Sequence, residues 1–267
     1  LLKKSRIEEL FIFTVAQWQE NNNSIIEGIQ TQFNCKKIVI RSSSLNEDQK
    51  ENSNAGYYSS FLNINTEKRS EIVSTIAEII ADYELKDSNP EKNQILVQLQ
   101  TMDVSASGVV FTRNPRLNTP YYLINYDDFS QSTESVTSGL VNKKIELLRS
   151  ASSTTVPPQW KKLIEAINEL ENLLSGMVLD IEFAIKKSGE IIIFQVRPLL
   201  ANRKYLSSHD DDIIATVHSF EKKYNELKNN ILSNDSNLYL SDMAFWNPSE
   251  IIGDQPNYLD YSLYNEL

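Results

Sequence analysis

The stretch Leu179–Leu199, LDIEFAIKKSGEIIIFQVRPL, constrains the fold more than any other part of the chain. Residues 179–185 and 191–197 alternate apolar with other side chains, the period-2 signature of two strands. Lys186, Lys187, Ser188 and Gly189 between them form a short polar turn, so the segment is expected to be a hairpin. If Ile185 pairs with Glu190, Glu182 faces Ile193 and Asp180 faces Gln195. Asp180, Glu182, Gln195 and Arg197 then share one side. Leu179, Ile181, Phe183, Ile185, Ile192, Phe194 and Val196 take the other and are available for a core. The polar side gathers two carboxylates, an amide and a guanidinium within reach of one another.

Hard oxygen donors of this kind suit Mg²⁺, which retains water and phosphate oxygens as its other ligands. The same alternation fits a half-buried hairpin with a solvated polar face. Against that reading, Gln195, Val196, Arg197 and Pro198 follow directly on four bulky apolar residues, Ile191–Phe194. A surface strand seldom makes that transition.

The chain has 267 residues, 40% hydrophobic and 23% charged, enough for one large domain or two lobes. Its net charge of −10 disfavours nucleic acid and anionic lipid as partners, so any phosphate must be held by local arginines, amides and metal. Cys35 is the single cysteine, which excludes an intrachain disulfide and a cysteine-based zinc site. It reads as an ordinary structural residue in a reducing, cytoplasmic compartment. The apolar patch LFIFTVA after Lys3, Lys4 and Arg6 resembles a signal peptide only faintly, because Glu8 and Glu9 interrupt it and no cleavage site follows. No run approaches a membrane span in length. The seven glycines form neither a G-x-G-x-x-G nor a Walker A loop.

Along the chain, residues 5–33 read as helical segments broken at Asn21–Asn23, and KIVIRS (37–42) as a buried strand. A Ser/Asn/Asp-rich loop closes at Gly56 and leads to the strand YYSSFLNI, and residues 66–84 place isoleucines at helical spacing. KDSNPEKN (86–93) marks a lobe boundary. QILVQLQTM, GVVFTRNP, PYYLINYDD and VNKKIELL are strands, the last two separated by a Ser/Thr-rich loop at 129–139. Residues 159–175 and 211–232 are amphipathic helices, and the Trp, Pro and Tyr-rich tail from Met243 reads as a connector. The expected organisation is an α+β chain with lobes at 1–88 and 89–200 and a helical extension at 201–267.

In this order, the pieces resemble the ATP-binding domain of the phosphoenolpyruvate synthase and pyruvate phosphate dikinase family, an ATP-grasp fold. The likeness is carried by IVIRSSSLNED (38–48) with NAGYYSSFLNI (54–64), by ILVQLQTM, by SGVVFTRNP (107–115) and by DIEFAIKKSGEIIIFQVRP (180–198). The resemblance implies two lobes with ATP between them and Asp180, Glu182 and Gln195 on the nucleotide and Mg²⁺, beside Arg197. It also implies Arg41 and Ser42 on phosphate, backbone amides around Gly56, Tyr57 and Tyr58 over the phosphates, and Gln98 at the adenine, with Arg41 and Arg197 as catalytic residues. Each residue also has a purely structural reading: Arg41 could pair with an acid, and Tyr57 and Tyr58 could pack. The family's glycine-rich, lysine-bearing opening segment has no counterpart here, and INYDDFSQSTESVTSG (124–139) stands where many members have a G-L-G-E stretch.

The stretch 124–139, together with a shortened middle region and the tail AFWNPSEIIGDQPNYLDYSLY, resembles a branch found in bacterial capsule and surface-polysaccharide clusters, which includes an L-glutamine kinase. The activity implied is a phosphotransfer in which a histidine on a swivelling domain of the same polypeptide attacks the β-phosphorus of ATP, AMP and then inorganic phosphate are released, and the β-phosphoryl group passes to a small acceptor. For this branch the acceptor is the amide of L-glutamine. The alternatives are a dikinase acting on pyruvate and a non-catalytic nucleotide-binding module. Neither His209, in SSHDDD, nor His218, on an apparent helix, has the surroundings of a phosphocarrier, so that histidine and the acceptor site are expected elsewhere.

Overall fold

A computed structural model describes residues 2–44, 60–128, 143–151, 156–199 and 210–231. The α+β class expected from the sequence is the one observed, with two antiparallel sheets that each take helices on one face. The chain divides into two compact units, 1–214 and 215–267, and both sheets belong to the first.

The first sheet has the order β1-β4-β2-β3, from β1 (Leu10–Thr14), β2 (Lys37–Ser43), β3 (Ser60–Asn65) and β4 (Gln94–Leu99). Ile38 and Ile40 of β2 and Ile95 and Val97 of β4 point to one side. There they bury against Ile25, Ile26 and Ile29 of α1 (Val15–Gln32) and Ile72, Ile76, Ile79 and Tyr83 of α2 (Arg69–Lys86). The Tyr83 hydroxyl accepts from Ser43 N at 2.6 Å and donates to Gln94 O at 2.7 Å, which pins α2 to the ends of β2 and β4.

Helix does not begin at residue 5. Residues 10–14, LFIFT, instead form a strand that pairs with β4 from Leu10↔Gln98 to Thr14↔Gln94, and the first helix cap is Thr14. There Thr14 Oγ1 accepts from Gln17 N, and the Gln17 side chain accepts from Thr14 N, a reciprocal capping box. The polar break expected near Asn21 is a kink, with φ −154° and ψ 75° at Asn21 and its Oδ1 capping Ser24 N at 3.1 Å. The segment at 86–93 leads into β4, which lies in the first sheet. The change of sheet therefore falls between Leu99 and Val104.

The second sheet has the order β7-β6-β5-β8-β9, from β5 (Val104–Phe111), β6 (Tyr121–Asp127), β7 (Lys143–Leu148), β8 (Leu179–Lys186) and β9 (Ile191–Pro198). The stripe of Trp160, Leu163, Ile167 and Leu170 on α3 (Pro158–Leu173) covers one face. Trp160 meets Tyr126 edge-on at 4.6 Å and Phe183 at 6.5 Å between ring centroids. Gly108 is required by close approach, since a Cβ there would lie 2.1 Å from the Asn125 carbonyl oxygen. The segment before β1 borders β9, where Arg6 N donates to Ile191 O and Ile193 N to Arg6 O, both at 2.9 Å.

α4 (Asp210–Ile231) opens with three aspartates, which suit the positive end of its dipole. Arg113 holds Asp210 bidentately at 2.7 Å to each oxygen, and this pairing keeps the Asp210 carboxyl below its usual range. No helix among the described residues is long and apolar enough to cross a membrane.

Candidate functional site

The hairpin forms as expected, but its register contains a bulge. Ile185 pairs with Ile191, Ala184 with Ile192 and Phe183 with Ile193; the next pairs are Glu182 with Gln195, Ile181 with Val196 and Asp180 with Arg197. Phe194 is the extra residue. The expected pairings of Glu182 with Ile193 and Asp180 with Gln195 are thereby corrected, and so is the division of faces. Ile191 and Ile193 enter the core under α3 with Leu179, Ile181, Phe183 and Ile185, and Val196 borders it. Ile192 and Phe194 instead cluster on the other face with Val104 and Ala184. A bulge shifts the alternation by one, which is why Gln195 and Arg197 emerge opposite Glu182 and Asp180.

On this face the polar groups converge. Arg197 Nη2 donates to Glu182 Oε1 at 3.1 Å and to Gln195 Oε1 at 3.0 Å, and the two charged side chains are only 12% and 20% exposed. Asp180 keeps a buried Oδ1 with no hydrogen-bond partner. Burial pushes its carboxyl up to about 6; Arg197 pulls the other way, and the Glu182 charge adds to the rise. An orphan buried acceptor beside a second carboxylate and an amide oxygen is a donor set that fits a hard divalent cation. Among the described residues, no group of three or more His, Cys, Asp or Glu side chains is placed to hold a metal, so any cation here would rest on two carboxylates and the Gln195 amide.

The first sheet supplies the opposite wall. Val39 and Arg41 of β2 and Leu96 and Gln98 of β4 lie on its helix-free face, since their neighbours Ile38, Ile40, Ile95 and Val97 fill the core. Arg41 Nη2 donates to the Phe194 carbonyl at 2.8 Å and so reaches the bulge itself. Gln98 is 3% exposed, and its Nε2 is buried without a partner. The two chain segments expected to act together are therefore brought into contact. Alternation turns Ser42, which pairs with Ile95, toward the helix side of the sheet. Gly56, Tyr57 and Tyr58 lie outside the described residues, as does His209. His218 is exposed on α4 with Nδ1 3.5 Å from Glu221 Oε2.

Several residues of this face were not singled out from the sequence. The pairings Asp127↔Ser107↔Ala184↔Ile192 and Asn125↔Val109↔Glu182↔Gln195 run across the sheet. They place Ser107, Asp127 and Asn125 on the same side as the carboxylates, with Ser107 and Asp127 each 2% exposed. The bulge had a signal in the sequence, because the odd positions change from Ile191 and Ile193 to Gln195 and Arg197. Cys35 is exposed and gives its thiol to Asn34 and Glu67, and the Glu67 carboxylate raises its pKa.

Residues 13–143 match the family of the pyruvate phosphate dikinase AMP/ATP-binding domain. No curated protein matches the chain. Among solved structures, the D-alanine–D-alanine ligase of Coxiella burnetii is similar at 7% identity and a TM-score of 0.41, over 74% of this chain and 45% of that one. The corresponding ligase of Helicobacter pylori gives 7% and 0.40, over 73% and 50%. N5-carboxyaminoimidazole synthetase of Staphylococcus aureus, solved with ADP, gives 9% and 0.35, over 75% and 41%. The chain thus spans half or less of these proteins.

Proposed function

We propose that this chain is the nucleotide-binding part of an ATP-grasp phosphotransferase and holds MgATP between its two sheets. The observation that carries the reading is the meeting of Arg41 with the Phe194 bulge, beside Asp180, Glu182, Gln195 and Arg197. Asp180, Glu182 and Gln195 would hold Mg²⁺, which supplies charge neutralisation to the polyphosphate when bound. The planar guanidinium groups of Arg41 and Arg197 suit phosphate oxygens. Gln98 has a buried donor free for a ring nitrogen of the base, and the partly buried Phe194, backed by the buried Val104, Ala184 and Ile192, would give the purine an apolar contact. The amides around Gly56, Tyr57 and Tyr58 would cover the phosphates.

The work of such a part is positioning and electrostatic stabilisation. In this reading a histidine on another domain of the same polypeptide attacks the β-phosphorus and AMP leaves; water then removes the γ-phosphate as inorganic phosphate, and the remaining β-phosphoryl group passes from the histidine to a small acceptor, the amide of L-glutamine. The acceptor rests on the likeness of residues 124–139 and of the tail to the capsule-cluster branch. A second reading is metal-independent nucleotide binding without turnover. It draws on Arg197, which already places a cationic nitrogen on both Glu182 Oε1 and Gln195 Oε1. Calorimetry with ATP in Mg²⁺ and again in EDTA separates the two. The proposed function requires saturable binding that EDTA weakens at least tenfold; equal binding under both conditions supports the second reading, and none at millimolar ATP removes both.

A further inference from the structure

A cavity of about 680 Å³ opens where the chain passes from the first sheet to the second. It shares no lining residue with the proposed nucleotide site. Along β8 it begins at Lys186, four residues beyond Glu182, or roughly 13 Å at the rise of an extended strand.

Four lysines border the cavity: Lys36 and Lys37 at the start of β2, and Lys186 and Lys187 at the β8–β9 turn. In a chain of net charge −10 this is a local reversal of sign. Lys186 is spent on structure, with Nζ 3.3 Å from both Glu8 and Glu190, and Thr101 Oγ1 steadies Glu8 at 3.2 Å. Lys36, Lys37 and Lys187 have no ion pair among the described residues; Lys37 reaches only the Asn63 amide oxygen, at 3.5 Å. One further acidic residue, Asp103, lines the cavity with them.

The backbone that carries the lysines is anchored on both sides. Lys187 N donates to Asp103 O at 2.7 Å, and Asp103 adopts a left-handed φ of 56° that turns the chain at this point. Gln100 N donates to Lys37 O at 3.0 Å, and the Gln100 and Asn63 groups exchange hydrogen bonds. Leu99 and Met102, the latter 57% exposed, add apolar surface to the same wall.

We propose that this cavity binds a small organic polyanion, one carrying two or more phosphate or carboxylate groups. Its anionic groups lie on Lys36, Lys37 and Lys187, and its carbon frame rests on Leu99 and Met102. A ligand there touches both sheets and so ties them together at the crossing.

The test uses the full chain and two probes, citrate for carboxylate and inorganic phosphate for phosphate, followed through backbone amide signals and calorimetry. Saturable binding is expected for at least one probe, with signals of Asp103, Lys187 and Ser188 moving and those of Arg41 and Glu182 still. The stronger probe assigns the anion class. The double variant Lys36→Gln/Lys187→Gln, whose side chains are exposed and whose amide spectrum reports its fold directly, should lose at least tenfold in affinity. Binding should persist with a non-hydrolysable ATP analogue and Mg²⁺ present. Failure of both probes to bind, unchanged affinity in the double variant, or shifts confined to Arg41 and Glu182 would each overturn the proposal. The titration without nucleotide decides it even where ATP itself does not bind.

Discussion

Asp180 and Gln98 each bury one polar atom without a partner, and a fold tolerates such atoms mainly where something else is to meet them. For Asp180 this has a measurable consequence in the metal-free protein. Its folded carboxyl titrates at about 6 against 3.8, so between those values the native state holds the proton more tightly than the unfolded chain does. Asp180 therefore makes stability fall as pH rises from about 4 to about 6, after which the loss is complete. At 1.36 kcal/mol per pKa unit the loss has a ceiling of about 3 kcal/mol. Asp180→Asn should remove this fall, so that urea melts in EDTA show the variant gaining on the wild type between pH 4 and pH 8. A constant difference across that range would mean that the carboxyl titrates normally. Glu182 makes a separate case. Glu182→Gln keeps an amide oxygen for Arg197 but withdraws a negative charge from the proposed cation site. The variant should fold, and its MgATP affinity by calorimetry should drop tenfold or more; an affinity within twofold would place the hairpin face outside nucleotide binding.

At the scale of elements, strand β8 and helix α3 could be read almost to the residue, because a period of 2 or 3.6 survives wherever one face is buried. That Asp180, Glu182, Gln195 and Arg197, the residues of the candidate site, come together on one face was legible in the sequence as well. What the pattern hid was the pairing. Alternation assigns faces only while the strand is regular, and the extra residue at Phe194 moves Ile191 and Ile193 to the face opposite Gln195 and Arg197. β1 was hidden differently: its five residues are too few to establish a period, and they adjoin a true helix. The polar partners on β5 and β6, Ser107, Asn125 and Asp127, were silent because only the sheet order brings β5 beside β8 and β6 one strand beyond it. Gly108 shows how tightly this layer is assembled. A methyl group there would sit 2.1 Å from Asn125 O and 2.9 Å from Tyr126 Cα, both backbone atoms that no rotamer change can move. Gly108→Ala must part β5 from β6, and a loss of about 3 kcal/mol is expected, the upper part of the range for overpacking. Calorimetric melting tests this; a Tm equal to the wild type's would show that the two strands can separate freely.

For the whole molecule, the decisive matter is what the two sheets can do without a nucleophile. Catalysis by positioning needs the attacking nitrogen within about 3–3.5 Å of phosphorus, in line with the leaving group. His218 stands exposed on α4, 3.5 Å from the Glu221 carboxylate, and His209 is followed directly by Asp210, Asp211 and Asp212. A polyphosphate approaching either imidazole meets negative charge of its own sign. In the proposed site, Arg41, which reaches the Phe194 carbonyl across the two sheets, and Arg197, paired with Glu182, would hold the polyphosphate. Binding and chemistry should then separate. The 267-residue chain, incubated with ATP, Mg²⁺ and L-glutamine and followed by phosphorus NMR, should bind nucleotide while forming neither AMP nor a phosphoramidate. If the proposed histidine-bearing domain exists, adding it in trans should start AMP release. AMP formed in stoichiometric amount by this chain alone, with a phosphoramidate signal beside it, would place the nucleophile within residues 1–267 and transfer the chemical role to His209 or His218.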